Sequence, residues 1–121
     1  MTKLYLAGPM TGYPRWNFDA FAEATAALRA AGYEVISPAE HDLAQGFDPD
    51  APVSEYTLED RHAAMRADIE AVLSVDGLAT LPGWEASEGA TLEVAVAQGI
   101  GAYAFPVGFY LSLSQIGTIT E

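Results

Sequence analysis

The sequence predicts one α/β domain with a mainly parallel sheet in strand order 2-1-3-4, and three observations carry that expectation. Strand-length apolar runs alternate with helix-period segments, the pattern of a parallel sheet with helical crossovers. Glycine and proline fall at the joints between these segments. The 121 residues are half apolar, enough for one core and too few for two domains, so residues 1–121 read as a single unit.

Residues 3–8, Lys-Leu-Tyr-Leu-Ala-Gly, read as a short buried strand stopped by Gly8-Pro9. A loop through Trp16 leads into a helix from about Asn17 to Ala31, with Asn17 as N-cap. Phe18, Phe21, Ala24, Thr25 and Leu28 form its buried face, and Gly32 ends it. Tyr33–Ser37 is the second strand, stopped by Pro38. The stretch 38–56, with Gly46, Pro49 and Pro52, reads as a loop of roughly twenty residues, a candidate lid or oligomer contact. A helix over about Thr57–Ser74 follows, with Leu58, Met65, Ile69, Val72 and Leu73 as its apolar positions. Asp76–Leu81 is the third strand, Pro82–Ser87 a loop, and Ser87 the cap of a helix rich in Ala, Val and Leu. Gly99 and Gly101 turn the chain into a fourth strand, 102–107. Residues 108–121 read as an edge strand, tail or oligomer contact.

Composition narrows the function. No basic region followed by an apolar block opens the chain, no apolar run approaches the ~20 residues of a membrane span, and cysteine is absent. A cytoplasmic protein without disulfides or thiolate chemistry is expected. The net charge of −12, with five basic residues, argues against a nucleic-acid polymer as partner. A small anion remains compatible if backbone amides and one or two arginines converge.

Right-handed crossovers set the order 2-1-3-4, and ligands in such sheets bind beyond the strands' carboxyl ends where the order reverses. That crevice lies between strands 1 and 3, against the loops Gly8–Gly12 and Pro82–Ser87. Gly8, Pro9, Met10, Thr11 and Gly12 form a tight loop suited to close approach of a ligand, though it is neither a Walker motif nor a dinucleotide fingerprint. Ser87, with the amides of Glu88 and Gly89, forms a helix N-terminus facing the same crevice. Glu93 lies within an apolar helical run, either at the floor of a pocket as nucleophile or base, or on a thin solvent-facing stripe beside Gln98. Asp68 sits among Ala64, Met65, Ala71 and Val72, as a second pocket carboxylate or as a border residue paired with Arg61 or Arg66. Two carboxylates in a crevice are the usual equipment for cleaving a glycosidic bond. Asp76 has a turn-forming alternative. Trp84 and Trp16 are loop aromatics that either stack on a nucleobase or pack over a helix end. His41 and His62 lack metal-site spacing, so no metal and no cofactor is expected.

Taken in order, Tyr5–Gly12, Arg66-Ala-Asp68, Asp76–Trp84 and Ser87–Glu93 resemble the nucleoside 2-deoxyribosyltransferase superfamily, in particular its small, often phage-encoded branch related to deoxynucleoside 5′-monophosphate N-glycosidases. The resemblance covers roughly residues 3–107. It implies a Rossmann-like, flavodoxin-like fold and a deoxynucleoside or nucleotide as the small-molecule partner. Glu93 would attack C1′ of the deoxyribosyl group, Asp68 would assist departure of the base, and Tyr5 would stand near the reacting centre. Ser87 would meet the 5′ end of the ligand, and Gly8 would be the glycine of backbone approach. It also implies a homo-oligomer, dimer or higher, and host cytoplasm if the gene is a phage's. Two features depart from the pattern. Thr11 stands where nucleotide-hydrolysing relatives hold a loop arginine, and Asp68 lies about eleven residues, or ~16 Å, into its helix. The alternative is the same fold holding a nucleotide without cleaving it.

Overall fold

The central strand, β1 (Lys3–Ala7), separates two cores in the computed structural model, which describes residues 2–120 and the side chains of residues 2–114. Alternation along β1 sends Leu4 and Leu6 to one face and Tyr5 and Ala7 to the other. On the first face lie α1 (Phe18–Ala30) and α5 (Val107–Thr120), with Phe18, Phe21, Leu28 and Tyr110 against Leu4 and Leu6. On the second lie α3 (Leu58–Val72) and α4 (Glu88–Gly99), with Val72, Ala90, Val94 and Ala97 against Tyr5 and Leu78. β2 (Glu34–Ile36), β3 (Gly77–Thr80) and β4 (Tyr103–Pro106) complete a wholly parallel sheet in the order β2-β1-β3-β4, as expected. Tyr5 pairs with Ile36 on one side and Leu78 on the other, so β1 has neighbours on both edges.

The buried face of α1 is the expected Phe18, Phe21, Ala24, Thr25 and Leu28, and Gly32 follows with a positive φ of 100°. Asn17 does not cap α1. It adopts a left-handed conformation, and its Nδ2 donates instead to the Pro9 carbonyl at 2.9 Å. Residues 38–56 are not one long loop: Ser37 caps α2 (Pro38–Ala44), accepting from Glu40 N, and Pro38 occupies the first turn that its missing N–H favours. Pro38 therefore ends one element by starting another. Residues Val107–Thr120 form a helix rather than an edge strand, anchored by the Tyr110 hydroxyl donating to Leu78 O at 2.9 Å. Gly77 allows this approach, since a Cβ there would lie 2.9 Å from that hydroxyl. In α3 the apolar positions divide: Val72 is buried, but Leu58 and Leu73 are exposed, because they start and end the helix beyond the sheet. Thr57 and Asp60 close a reciprocal capping box at its start.

Candidate active site

The order of the sheet reverses between β1 and β3, and at their carboxyl ends the chain builds a small cavity of about 100 Å³. Glu93 forms part of it. It lies in the second turn of α4, is 5% exposed, and is flanked by buried Ala90, Val94 and Ala97. Of its two sequence readings, the structure places it inward. The helix that presents it starts at Ser87, whose Oγ accepts from Ala90 N at 3.2 Å.

The Tyr5 hydroxyl, rising from the central strand, donates to Glu93 Oε2 at 2.7 Å. Asp68, the eleventh residue of α3, lines the same cavity as Glu93 and is close enough to bear electrostatically on both Glu93 and Tyr5. The overhang of α3 is therefore sufficient, and Asp68 is not a border residue: Arg61 faces Glu88 at 3.4 Å instead. Burial first, and the charge of Asp68 second, hold the Glu93 carboxyl well above the ordinary carboxylate range. Burial and Asp42 push Asp68 the same way. Burial, with Glu93 next, raises the Tyr5 hydroxyl, so it remains a donor. A buried and a half-buried carboxyl that influence each other resist double ionisation, and the pair titrates as a unit.

Gly8, Met10, Thr11, Ser87 and Gly89 line this inner cavity together with Asp68 and Glu93. Pro9 is buried beneath the loop and Gly12 turns it outward with φ 86°; neither lines the cavity. Gly8 is required by packing, since a Cβ there would lie 2.8 Å from Leu81 Cβ. Trp84 does not line the cavity either: it begins a single 3-10 turn and packs against the core between sheet and α4. Trp16 takes the place expected of a loop aromatic. Asp76 has its structural role, accepting from Lys3 N at 2.8 Å and so pinning the start of β1. His41 and His62 are exposed, and no group of three or more His, Cys, Asp or Glu among the described residues is arranged to hold a metal ion.

Asp42, Phe47 and Tyr56 are residues that sequence reasoning missed. They come from the stretch read as one loop, and with Trp16 they form a wall shared with a second, larger cavity of about 530 Å³. Trp16 meets Phe47 at 5.5 Å and Tyr56 at 5.0 Å between ring centroids. Arg15, Trp16 and Asn17 have successive positive φ values of 49°, 56° and 62°, a run that costs energy in non-glycine residues and here aims Trp16 at the wall. Two aromatics, Phe47 and Tyr56, within residues 38–60 are a weak signal on their own; the burial of Ser37 and Pro38 that brings them over the crevice is tertiary. Among the described residues the cation lining the inner cavity is Arg61, while Arg15, engaged with Asp19 and Asp50, lines neither cavity.

No helix among the described residues is long and apolar enough to cross a membrane. Residues 2–104 match the model of the family described as Domain of unknown function (DUF4406). No curated protein matches the chain. Among solved structures, the fold is similar to that of a 2-deoxyribosyltransferase from the psychrotolerant bacterium Bacillus psychrosaccharolyticus. The TM-score is 0.60 at 23% identity, over 84% of this chain and 69% of the other. That likeness is one of fold.

Proposed function

The chain belongs to the DUF4406 family, and we propose that it cleaves or exchanges the N-glycosidic bond of a 2′-deoxynucleoside or its 5′-monophosphate through a covalent deoxyribosyl–Glu93 intermediate. The observation that carries this reading is the cluster of buried Tyr5 and Glu93 with half-buried Asp68 at the point where the strand order reverses. The structural likeness to a 2-deoxyribosyltransferase supports the same class of bond.

In the reactive form the pair's proton is on Asp68, although burial favours it more strongly on Glu93; Tyr5, donating at 2.7 Å, stabilises the Glu93 charge in that form. The Glu93 carboxylate bonds to C1′ as the C1′–N bond breaks, and the Asp68 proton passes to the departing base. Water, or the ring nitrogen of a second base, then attacks C1′; its proton goes to Asp68 and Glu93 leaves. Two displacements give retention. The walls exclude bulk water from the ester, and Ser87 with the first amides of α4 meets the sugar's 5′ end.

Chromatography of a panel of deoxynucleosides and their 5′-monophosphates, with and without a second free base, tests the reading. Free base from the native protein and none from Glu93→Ala is the expected result; equal release from both would overturn the role of Glu93. Thr11, exposed at the rim where relatives hold an arginine, favours one second reading, a nucleotide-binding module without turnover. No release, together with ligand-induced stabilisation, would select it. The exposed aromatics Tyr103, Phe105 and Phe109 beside the edge strand β4 support a homo-oligomer, which a monomer in light scattering would refute.

A further inference from the structure

On the wall of the outer cavity, the partly buried carboxylate of Asp42 has no hydrogen-bond donor among the described residues. This residue, on α2, stands on the wall common to both cavities. Burial raises its carboxyl to about 6, against the opposing effect of neighbouring His41. No hydrogen bond or ion pair from a described residue reaches it. The other carboxylates there differ, and Glu55 is exposed to solvent. Asp48 accepts from Asp50 N, and Asp60 is held in the α3 capping box. A partly buried carboxylate with no donor from its own protein is a site waiting for a donor. Above it stand three aromatic rings, Trp16, Phe47 and Tyr56, with mutual centroid distances of 5.0 to 5.8 Å. Flat apolar faces beside an acceptor suit a planar heterocycle that carries N–H groups, while Asp48 and Glu55 on the same cavity repel anions.

Resting on the N-glycosidase reading, we propose that the wall around Asp42 selects nucleobases bearing an exocyclic amine, which donates to the Asp42 carboxylate while the ring packs on Trp16, Phe47 and Tyr56. Asp42 is then a specificity residue that touches the base, apart from the Glu93–Asp68 pair that acts on C1′. An oxo group at the same position of the base would set two acceptors against each other. Adenine and cytosine are favoured over hypoxanthine and uracil, which differ from them by the exchange of an amine for a carbonyl.

Calorimetric titration of the Glu93→Gln protein with these four free bases near pH 8 separates this from turnover, since no bond is broken. Adenine and cytosine are expected to bind at least about tenfold more tightly than their oxo counterparts. Asp42→Asn, which offers an amide able to donate as well as accept, should bring each pair within about threefold. Trp16→Leu should weaken all four bases together and leave the ratio intact, which keeps the test valid if Asp42→Asn folds poorly. Equal affinity for amino and oxo bases, an unchanged preference in Asp42→Asn, or no binding of any base would each overturn the proposal. Base release by the native protein is measured separately: release without the amino preference leaves cleavage standing and removes Asp42's role. Preference without release keeps Asp42's role and removes cleavage.

Discussion

The floor of the crevice and its outer wall are built on opposite principles. On the floor, side chains are packed and paired: Tyr5 is fully buried, its hydroxyl is held by Glu93, and Gly8 is pressed so closely on Leu81 that a methyl group does not fit. On the wall, Asp42 lacks a donor, Tyr56 and Phe47 are half-buried, and the chain enters through three left-handed residues. A paired, close-packed floor can hold reacting groups at fixed positions, as covalent chemistry demands. A wall with an unmet acceptor and open space instead discriminates among ligands.

The sharpest way to break this contrast is to remove function from the floor alone. Glu93→Gln should lower base release by about a thousandfold or more, measured by single-turnover chromatography, with circular dichroism unchanged. Tyr5→Phe should cost about ten- to a hundredfold in kcat, with the fold retained, because the glutamate loses its hydrogen-bond donor. Next, Gly8→Ala should destabilise the protein by about 1–3 kcal/mol in urea denaturation, as the added methyl drives Leu81 from its place. Phe47→Leu, by contrast, should change stability by less than about 1 kcal/mol, being half-buried on the wall.

A smaller effect tests the electrostatics. The folded-state affinity of Glu93 and Asp68 for protons is raised above that of the unfolded chain. The native state therefore binds more protons than the unfolded one between the ordinary carboxylate range and the raised values. Stability from this source is present at acid pH and is lost as pH rises through that interval. Glu93→Gln, which is never charged, should raise the melting temperature relative to the native protein by a few degrees at pH 8 and by little at pH 5. An identical difference at both pH values would mean that the pair carries no such strain.

The two regions also differed in how far the sequence announced them. The floor was readable because its signals are local and periodic: an apolar strand ending in Gly-Pro, a Ser cap before an apolar helix, and a glutamate inside that helix. Asp68 was legible only in part: its apolar neighbours share its helical face, yet a border position paired with Arg61 or Arg66 fits the spacing as well. The wall was not readable. Pro38 reads as the end of a strand although it opens α2, and with α2 hidden there was no frame to place its own Asp42, or Phe47 in the stretch that follows, over the crevice. Trp16 and Trp84 are indistinguishable as loop aromatics; backbone dihedrals at Arg15–Asn17 send one into the cavity, and packing beneath α4 takes the other away. Likewise the final helix lacks the cap and charge pattern that mark α3, so its Ser and Thr residues read as strand.

The hydrogen bond from Tyr5 to Glu93 joins residues 88 positions apart, across a sheet in which every neighbouring pair of strands is parallel and no hairpin exists. Each strand pairing must wait for a crossover to close, so folding is expected to be governed by long-range contacts and to be slow for the chain's size. During synthesis the tyrosine emerges before its glutamate, which follows only after β3 and the start of α4. A nascent or proteolysed chain ending anywhere between them has no Tyr5–Glu93 pair, however much local helix it has formed. On the proposed function, activity should therefore appear all at once, in the same step that completes the sheet's central layers, and its time course during refolding should run in parallel with the burial of β1.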